Sequence, residues 1–200
     1  MLIGLVGLIG SGKDTVANRL VSHHGFIQDS FAKSLKDAVS NIFGWSREML
    51  EGDTKESRAW REQPDEFWSN KFGKPTTPRW VLQYFGTEVC RGNMLDSIWV
   101  DSCMARYAGK NTVISDTRFL NEIKQIRAQG GKIVLVKRTT MPNKQHMIDA
   151  GAHRSEWDWI GCDYDYVLEN TDTIESLHKQ IYDMTNHLLP NPLETNRDSA

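Results

Sequence analysis

A short apolar run at the start of the chain leads directly into a glycine-rich turn, and this arrangement most constrains the fold. Residues 7–15 read Gly-Leu-Ile-Gly-Ser-Gly-Lys-Asp-Thr and follow the apolar residues Leu2, Ile3, Leu5 and Val6. The turn fits the pattern G-x-x-x-x-G-K-[S/T] except at its last position, and that pattern requires a strand, a glycine-rich turn and a helix in this order. The sequence therefore predicts a nucleotide-phosphate-binding loop between the first strand and the first helix.

Three glycines and a lysine suit this loop to a polyphosphate. Gly7, Gly10 and Gly12 allow successive backbone N–H groups to turn inward and surround phosphate oxygens. The start of the next helix adds the positive end of its dipole, and Lys13 can reach the terminal phosphates. A strand-turn-helix that is glycine-rich for another reason is the alternative. The lysine and the flanking elements favour phosphate binding.

The composition limits the class of protein. A chain of 200 residues with 39% hydrophobic and 25% charged residues is typical of a globular protein with one domain and a proper core. The formal net charge of -2 excludes a global basic field of the kind that grips long nucleic acid. Three cysteines without a CxxC pair argue against disulfides and zinc knuckles, and no stretch is long enough to span a bilayer. We therefore expect a cytoplasmic protein with neither long nucleic acid nor a membrane as its partner.

Strand-like and helix-like segments alternate along the chain, which is the signature of an α/β fold. We predict a three-layer α/β/α domain over residues 1–188, with a mostly parallel sheet of about five strands, a helical insertion at residues 45–77, and a flexible tail at residues 189–200. Strands are expected at residues 2–6, 25–31, 111–115, 132–137 and 165–168. Helices are expected from residue 15 and at residues 34–43, 77–91, 96–107, 118–129 and 173–188.

Three cations stand at predicted helix starts, where the helix dipole disfavours them by about 0.3–1 kcal/mol. They are Lys13, Arg79 and Arg118. Because local rules tend to fail at functional sites, we expect each of these helix starts to face an anion that outweighs the penalty. Solvated surface arginines are the alternative for any one of them. Together with the phosphate loop, the three cations favour convergence on a polyphosphate.

A polar stripe is predicted on the helix that begins near residue 77. Arg79, Gln83, Thr87 and Arg91 recur every four residues, so they lie along one slowly drifting line of the helix. The Gln83 amide could bond a nucleobase edge while the two arginines hold a phosphate. A solvent-facing polar seam is the alternative. Gly86, in the middle of this helix, costs about 1 kcal/mol relative to Ala, which is tolerable if another group must approach the backbone closely.

Two carboxylates are candidates for a magnesium site. Asp116 follows a predicted strand, and ligands bind beyond the carboxyl ends of strands in open α/β sheets, so it could hold magnesium or orient an acceptor hydroxyl. An N-cap for the helix at Arg118 is the alternative role. Asp14 stands where phosphate loops usually have a Ser or Thr that holds magnesium, and Thr15 comes one place later. Magnesium is commonly held by one or two carboxylates together with phosphates and water.

Aromatic residues and histidines give weaker signals. Five of the seven tryptophans lie between residues 45 and 99. One of them could stack on a base, although core packing is the more usual role of such residues. His146 and His153 lack metal-ligand spacing with cysteine or carboxylate, so no structural metal is predicted.

An ordered set of motifs gives this chain a family resemblance. The set comprises the Gly-Lys-Asp-Thr variant at residues 12–15, Phe31-Ala32 followed by Lys36, Arg79-x-x-x-Gln83-x-x-Gly86-Thr87-Glu88-x-x-Arg91, Asp116-Thr117-Arg118 with Asn121-Glu122, Arg138, His153-x-Ser155-Glu156 and Asn170. From residue 2 to about residue 188, the chain resembles the bacteriophage-type deoxynucleoside monophosphate kinases of the phosphate-loop nucleoside monophosphate kinase group. The resemblance implies transfer of the γ-phosphoryl group of ATP to a deoxynucleoside 5′-monophosphate with Mg²⁺, in the host cytoplasm if the protein is phage-encoded.

The resemblance also implies roles for individual residues. The ATP phosphates and magnesium would be held by Gly10, Ser11, Gly12, Lys13, Asp14 and Thr15, with Asp116 helping to place the metal. The acceptor nucleotide would be held by Lys36, Arg79, Gln83, Thr87 and Arg91. Arg118 and Arg138 would neutralise charge on the moving phosphoryl group, and Asn170 would lie near the adenine. A mobile lid would be formed by residues 139–163, including His153, Ser155 and Glu156.

Other functions stay open at this point. A dephospho-coenzyme A kinase would share the loop and the sheet and would differ on the acceptor side. A nucleotide-binding switch or regulatory ATPase would bind ATP without a small acceptor. A polynucleotide end kinase is disfavoured because the composition shows no basic groove. The sequence gives no physical handle on the oligomeric state, so a homodimer also stays open.

Overall fold

A computed structural model describes residues 1–188, so the predicted flexible tail at residues 189–200 lies outside the described residues. The chain divides into two compact units. The first unit contains Met1–Ser30 and the described chain from Tyr107 onward, and the second unit is Phe31–Arg106. The single domain expected over residues 1–188 stays a prediction.

Strands and helices alternate in the first unit, and helices follow one another in the second. The strands are β1 (Leu2–Val6), β2 (Ile27–Asp29), β3 (Thr112–Ile114), β4 (Lys132–Lys137) and β5 (Tyr166–Glu169). The α-helices are α1 (Lys13–His24), α2 (Lys33–Phe43), α3 (Arg47–Glu51), α4 (Lys55–Arg61), α5 (Glu66–Phe72), α6 (Pro78–Gln83), α7 (Ile98–Arg106), α8 (Leu120–Ala128), α9 (Lys144–Asp149) and α10 (Ile174–Leu188). A π-helix spans Tyr84–Arg91, and a 3-10 helix spans Arg154–Glu156. Within the described residues, no helix combines the length and the apolar character that crossing a membrane requires.

The strands of the first unit form a parallel sheet in the order β2-β3-β1-β4-β5. β1 lies at its centre, with Ile3 opposite Val113 of β3 and Leu5 opposite Val134 of β4. The carboxyl end of β1 enters the glycine-rich loop, so the loop lies at the edge of the sheet where α/β folds bind ligands. The predicted parallel sheet of five strands is confirmed.

Helices cover both faces of this sheet. On one face, Ile3 packs in a buried cluster with Leu20 of α1 and Ile181 of α10. On the other face lies Gly4 of β1, where an added Cβ would be 2.5 Å from Ile126 Cδ1 of α8. Alternate residues of β1 contact different helix layers because successive strand residues point to opposite faces. The predicted three-layer α/β/α architecture is confirmed.

Helix α8 begins later than the sequence predicts. The backbone N–H groups of Arg118 and Phe119 both donate to the Glu122 carboxylate, at 2.7 and 3.0 Å, and the helix starts only at Leu120. Arg118 therefore precedes α8, and the prediction that it lies in a first helical turn is wrong. Asp116 lies in the turn after β3 and is not the N-cap residue of α8, which is Phe119.

Aromatic side chains dominate the packing of the second unit. Phe43 stacks on Trp45 with ring centroids 4.7 Å apart, and its carbonyl accepts a 2.9 Å hydrogen bond from Trp68 Nε1. Trp45 Nε1 donates to Asp65 at 2.8 Å. The buried cluster of this unit contains Leu35, Val39, Trp45, Leu50, Val81, Cys90 and Trp99. The tryptophans at residues 45–77 pack in or against this cluster, and α3, α4 and α5 form the predicted helical insertion.

The α-helix predicted over residues 77–91 is wrong in its second half. Thr77 caps α6 by accepting a 3.1 Å hydrogen bond from the Trp80 N–H, as the Thr-Pro start predicts. Beyond α6, however, the chain continues as the π-helix, a form that often marks functional sites. Gly86 lies in this π-helix, and an added Cβ there would be 2.7 Å from Leu35 Cδ2. The group that approaches the glycine closely is therefore a core side chain of α2.

Candidate active site

The glycine-rich loop needs glycine at particular positions. Gly10 has a φ of 75° and Gly12 a φ of 102°, both in the left-handed region that residues with a side chain avoid. Gly7 has no room for a side chain, since an added Cβ would collide with the Val136 carbonyl of β4. The three glycines thus allow a compact turn that packs against the sheet.

Lys13, the first residue of α1, folds back over this loop. Its Nζ donates to the carbonyl oxygens of Gly7 and Leu8 at 2.8 and 2.9 Å. Burial, reinforced by the positive charge of Arg118, lowers the pKa of Lys13 from 10.5 to about 8. A polyphosphate in the loop would oppose both effects because it brings negative charge to the ammonium. An anion bound in the loop would therefore stabilise the charged form of Lys13.

Charged groups of both signs surround Lys13. Asp14 and Asp116 raise the pKa of this lysine, in opposition to Arg118. Asp14 is exposed in the first turn of α1, with the half-buried Thr15 next to it, and Asp116 is half-buried in the turn after β3. The structure therefore brings predicted metal-binding and catalytic residues into one charged neighbourhood.

Arg138 follows β4 at the same edge of the sheet. Its Nη1 donates to the Gly10 carbonyl of the loop at 3.3 Å, although the residue is exposed. A small cavity beside the loop is lined by Leu8, Ile9, Gly10, Ser11, Val136, Lys137, Arg138, Thr139 and Met141. Arg138 thus reaches the predicted phosphate loop.

Asn170, which follows β5, also contacts the loop. Its side-chain amide donates to the Ser11 carbonyl at 2.8 Å, and its backbone N–H donates to the Lys137 carbonyl at 2.7 Å. The sequence does not predict this supporting contact. The place of Asn170 near an adenine stays a prediction.

The three residues predicted for the lid lie in a short segment beside Arg118. Glu156 Oε1 is 3.2 Å from Arg118 Nη1, and Glu156 raises the pKa of Lys13, so it belongs to the same charged neighbourhood. His153 Nδ1 lies 2.9 Å from Ser155 Oγ, and Ser155 is buried. This segment is therefore packed into the first unit.

The residues predicted to bind the acceptor lie in the second unit. Their cations Lys36 and Arg79 face carboxylates of the helical insertion, and Arg91 Nη1 lies 3.8 Å from Asp96 Oδ1. Lys36 Nζ is 3.1 Å from Glu51 Oε2, and Arg79 Nη1 is 3.1 Å from Glu62 Oε1. Arg79 is the second residue of α6, as predicted for a helix start. Both carboxylates come from the helical insertion, residues 45–77. The insertion therefore supplies the acidic neighbours of Lys36 and Arg79.

Arg91 differs from the other stripe residues because it is buried. Only 5% of its side chain is exposed, and its Nη1 donates to the Asp96 carbonyl at 3.0 Å. Gln83 and Thr87 are half-buried on the same helical segment. The π-helix turns by a smaller angle per residue than an α-helix, so Thr87 and Arg91 do not continue the drift expected of the stripe. Arg91 therefore does not lie on a solvent-facing polar surface, which was the alternative role of the stripe.

Comparison with known proteins identifies the family. The family model described as deoxynucleotide monophosphate kinase matches residues 53–181. The chain belongs to this family. A protein of Acanthamoeba polyphaga mimivirus, provisionally named a deoxynucleotide monophosphate kinase, is 36% identical over 197 residues, which cover 90% of this chain and 94% of the relative. The chain is therefore an enzyme, a nucleoside monophosphate kinase that transfers a phosphoryl group to a phosphate acceptor.

Two solved structures align with most of this kinase. A protein of Thermus thermophilus is 19% identical, covers 95% of this chain and 98% of its own, and has a TM-score of 0.47. A shikimate kinase from Bacteroides thetaiotaomicron is 11% identical, covers 94% of this chain and 98% of its own, and also has a TM-score of 0.47. The fold assignment of the kinase rests on its own strand order and helix layers.

The sequence did not predict the contacts of several carboxylates in the two units of the kinase. They are Glu51, Glu62, Glu122 and Asp158. Only Glu122 had a local signal, because a Glu three residues after the residue that precedes a helix is the acidic member of a capping box. The contacts of Glu51 with Lys36, of Glu62 with Arg79 and of Asp158 with Leu120 join residues that no spacing rule connects.

Proposed function

We propose that this kinase transfers the γ-phosphoryl group of ATP to a deoxynucleoside 5′-monophosphate, giving ADP and the deoxynucleoside diphosphate. The observation that carries the proposal is the burial of Lys13 on the glycine-rich loop, where its pKa falls to about 8. Strongly perturbed titratable groups of this kind cluster at functional sites, and an anionic ligand would compensate this one. Family membership supports a deoxynucleotide as the acceptor.

The glycine-rich loop is the proposed site of the donor nucleotide. The residues that would hold the ATP phosphates are Gly10, Ser11, Gly12, Lys13, Asp14 and Thr15. Backbone N–H groups at the start of a helix suit phosphate oxygens because they are donors at the positive end of the dipole. Asn170 would contact the adenine in addition to holding the Ser11 carbonyl.

Mg²⁺ is the proposed metal, with Asp14, Thr15 and Asp116 as its protein ligands. Two carboxylates and a hydroxyl are oxygen donors of the kind that Mg²⁺ takes. Both carboxylates act on the ammonium of Lys13, so they lie at the same edge of the sheet as the loop. The residues therefore fit this metal. When bound, Mg²⁺ would offset negative charge on the phosphate oxygens.

Arg118 and Arg138 are the proposed cations that neutralise charge on the transferred group. Arg118 acts on the pKa of Lys13, and Arg138 reaches the Gly10 carbonyl. Phosphoryl transfer depends on positioning and on stabilising charge that spreads over the equatorial oxygens. Fixed cations beside the loop would supply this stabilisation without a covalent enzyme intermediate.

The second unit is the proposed site of the acceptor, which Lys36, Arg79, Gln83, Thr87 and Arg91 would hold. Lys36 and Arg79 each face a carboxylate at 3.1 Å. A phosphate dianion could replace these carboxylates because it carries more charge and more acceptor oxygens. The amide of Gln83 offers both a donor and an acceptor to a base edge.

The proposal also includes the enzyme subgroup, a lid and the cellular location. The Gly-Lys-Asp-Thr sequence at residues 12–15 supports a place among the bacteriophage-type enzymes of the P-loop nucleoside monophosphate kinase group. Residues 139–163 would contribute to a lid that excludes water during transfer. Action in the cytoplasm is supported by the free thiols of Cys90, Cys103 and Cys162.

A nucleotide panel tests the proposal. ADP release would be measured with ATP and Mg²⁺ against ribo- and deoxynucleoside monophosphates, and at least one deoxynucleoside monophosphate should stimulate it. Lys13→Ala should abolish this release with the fold retained, whereas Arg79→Ala should raise the KM for the monophosphate. Slow release that no monophosphate accelerates would indicate a nucleotide-binding switch. Stimulation by dephospho-coenzyme A alone would indicate a different acceptor, and either result would refute the proposal.

A further inference from the structure

The region proposed as a lid contains two parts that differ in burial. The residues of α9 are exposed or only partly buried. By contrast, Ser155, Asp158 and Trp159 are buried, and Trp159 is only 2% exposed. Mobile segments make few buried contacts, whereas a segment that fills the core moves only when the core opens. Residues 153–159, which we call the bracket, therefore have the packing of a fixed part of the first unit.

Asp158 joins the bracket to the start of α8. It is 5% exposed, and its Oδ2 accepts a 3.2 Å hydrogen bond from the backbone N–H of Leu120, the first residue of that helix. Arg154 Nη2 lies 3.2 Å from the same oxygen, and the Arg154 guanidinium lies over the Phe119 ring, 5.6 Å from its centroid. The N–H groups at a helix start carry partial positive charge, so a buried carboxylate is stabilised there.

Glu156 joins the bracket to the arginine that precedes α8. Its Oε1 is 3.2 Å from Arg118 Nη1, and 17% of the Glu156 side chain is exposed, against 40% of the Arg118 side chain. The backbone of Arg118 is held separately, because its N–H donates to Glu122 at 2.7 Å. The guanidinium of Arg118, the more exposed partner of this ion pair, is therefore held by Glu156, and the backbone of Arg118 is held by Glu122.

We propose that Glu156 is a positioning residue of this kinase and that the fixed bracket carries it, so that the Arg118 guanidinium is held beside the phosphate loop. The proposal rests on the proposed function, in which Arg118 neutralises charge on the moving phosphoryl group. It divides residues 139–163 into a moving part, residues 139–152, and a part that contains the fixed bracket.

This arrangement orders the Arg118 side chain before the substrate binds. An arginine side chain loses considerable rotamer freedom when it is fixed, and a carboxylate that fixes it beforehand removes that loss from the reaction. A guanidinium has several N–H donors in a planar fork, so one contact with Glu156 leaves other donors for a phosphate oxygen. Glu122 of α8 thus holds the backbone of Arg118, and Glu156 of the bracket holds its guanidinium.

A double-mutant cycle tests the positioning role. Glu156→Gln keeps the size of the side chain and removes its charge, and it should lower kcat by about tenfold while the KM for ATP changes by less than about twofold. In an Arg118→Ala background, Glu156→Gln should cause no further loss, because the guanidinium that it positions is absent. Glu156→Asp, which keeps a carboxylate, should recover part of kcat.

The matched control is Glu175→Gln, which makes the same change at an exposed position in the first turn of α10 and should leave kcat unchanged. Equal losses from Glu156→Gln in the wild-type and Arg118→Ala backgrounds would overturn the proposal, because Glu156 would then act independently of Arg118. A raised KM with an unchanged kcat would also overturn it.

Amide hydrogen exchange tests the fixed bracket without any turnover. The amides of residues 153–159 and of Leu120 should be protected in the nucleotide-free protein and should keep the same exchange rates when ADP is added. The amides of residues 139–152 should exchange faster and should slow with ADP. Asp158→Asn should weaken the protection of the Leu120 amide, because a neutral amide accepts a weaker hydrogen bond than a carboxylate.

Bracket amides that exchange rapidly and slow only with ADP would overturn the proposal, since the bracket would then belong to the moving lid. Different results would refute the transfer activity and the positioning role of Glu156. A protein that phosphorylates no nucleotide would refute the proposed function. An active kinase in which the effects of Glu156 and Arg118 simply multiply would refute only the positioning role.

Discussion

The side-chain amide of Asn170 and the carbonyl oxygen of Ser11 are joined by a 2.8 Å hydrogen bond, although 159 residues separate them in the sequence. The backbone N–H of Asn170 donates in turn to the carbonyl of Lys137, at the end of β4. A Cβ added to Gly12 would collide with the same side-chain amide. One residue therefore connects the phosphate loop to the edge of the sheet and occupies the space that Gly12 leaves open.

We expect Asn170→Ala to weaken the binding of ADP by about fivefold, because a lost hydrogen bond of about 1 kcal/mol would release the loop from its preformed shape. Calorimetric titration with ADP and Mg²⁺ measures this change. Asn18→Ala, on the exposed side of α1, is the matched control and should not change the affinity. Full affinity in Asn170→Ala would mean that the loop keeps its shape without this contact.

The loop could be predicted from the sequence, whereas its support could not. The apolar run, the glycines and Lys13 stand next to one another in the chain, so a local pattern contains all of them. Asn170 reaches Ser11 only after β5 has joined the sheet. Glu62 faces Arg79 for a similar reason, since no spacing rule links a carboxylate of the insertion to a later helix start.

Lys13 should make nucleotide binding depend on pH above neutrality. Its pKa is about 8 in the ligand-free protein, and a bound polyphosphate should raise it, so the complex holds more protons than the free protein at and above that pH. Nucleotide binding is therefore strongest below pH 8 and weakens as the pH rises through 8, by up to about tenfold per pH unit. A phosphate ester has a second pKa of about 6, so it is already ionised in this range.

Titration calorimetry with ADP at about pH 8, in two buffers of different ionisation enthalpy, should detect the proton uptake. Lys13→Met keeps the length and removes the titrating group. Its weaker binding should vary little between about pH 7.5 and pH 9.5, so it serves as the control. The same pH dependence in Lys13→Met would assign the proton to another group.

Gly86→Ala should destabilise the protein by about 1–3 kcal/mol, because the new methyl group would overpack the side chain of Leu35. The added Cβ would be 2.7 Å from Leu35 Cδ2, and the Gly86 carbonyl also accepts a hydrogen bond from Trp99 Nε1 at 2.9 Å. Urea unfolding measures the change. Gly92→Ala is the matched control, since its Cβ would be 3.5 Å from the Thr87 carbonyl oxygen, an ordinary van der Waals contact. An equal loss in both variants would attribute the effect to helix conformation rather than to packing.

Helical periodicity predicted that residues 77–91 are helical and failed to predict which helix they form. Thr77 and Pro78 are local start signals, and α6 begins where they indicate. The change to a π-helix occurs where Gly86 lies against α2 and its carbonyl accepts a hydrogen bond from Trp99 Nε1. Both contacts come from packing within the second unit, which the periodicity of residues 77–91 does not contain. The later start of α8 has a local cause instead, because the Glu122 carboxylate accepts hydrogen bonds from the backbone N–H groups of Arg118 and Phe119.

Lys36→Ala should raise the KM for the monophosphate by about tenfold or more, because a hydrogen bond to a charged group contributes about 1.5–3 kcal/mol. The KM for ATP should stay within about twofold, since the proposed donor site is the loop. Glu51 would still pair with Arg47, so the insertion should keep its fold.

Lys33→Ala, at the exposed start of the same helix, is the matched control and should leave both KM values unchanged. Steady-state kinetics with each nucleotide varied in turn separates these outcomes. A raised KM for ATP with an unchanged KM for the monophosphate would place Lys36 on the donor side and contradict its role as an acceptor contact.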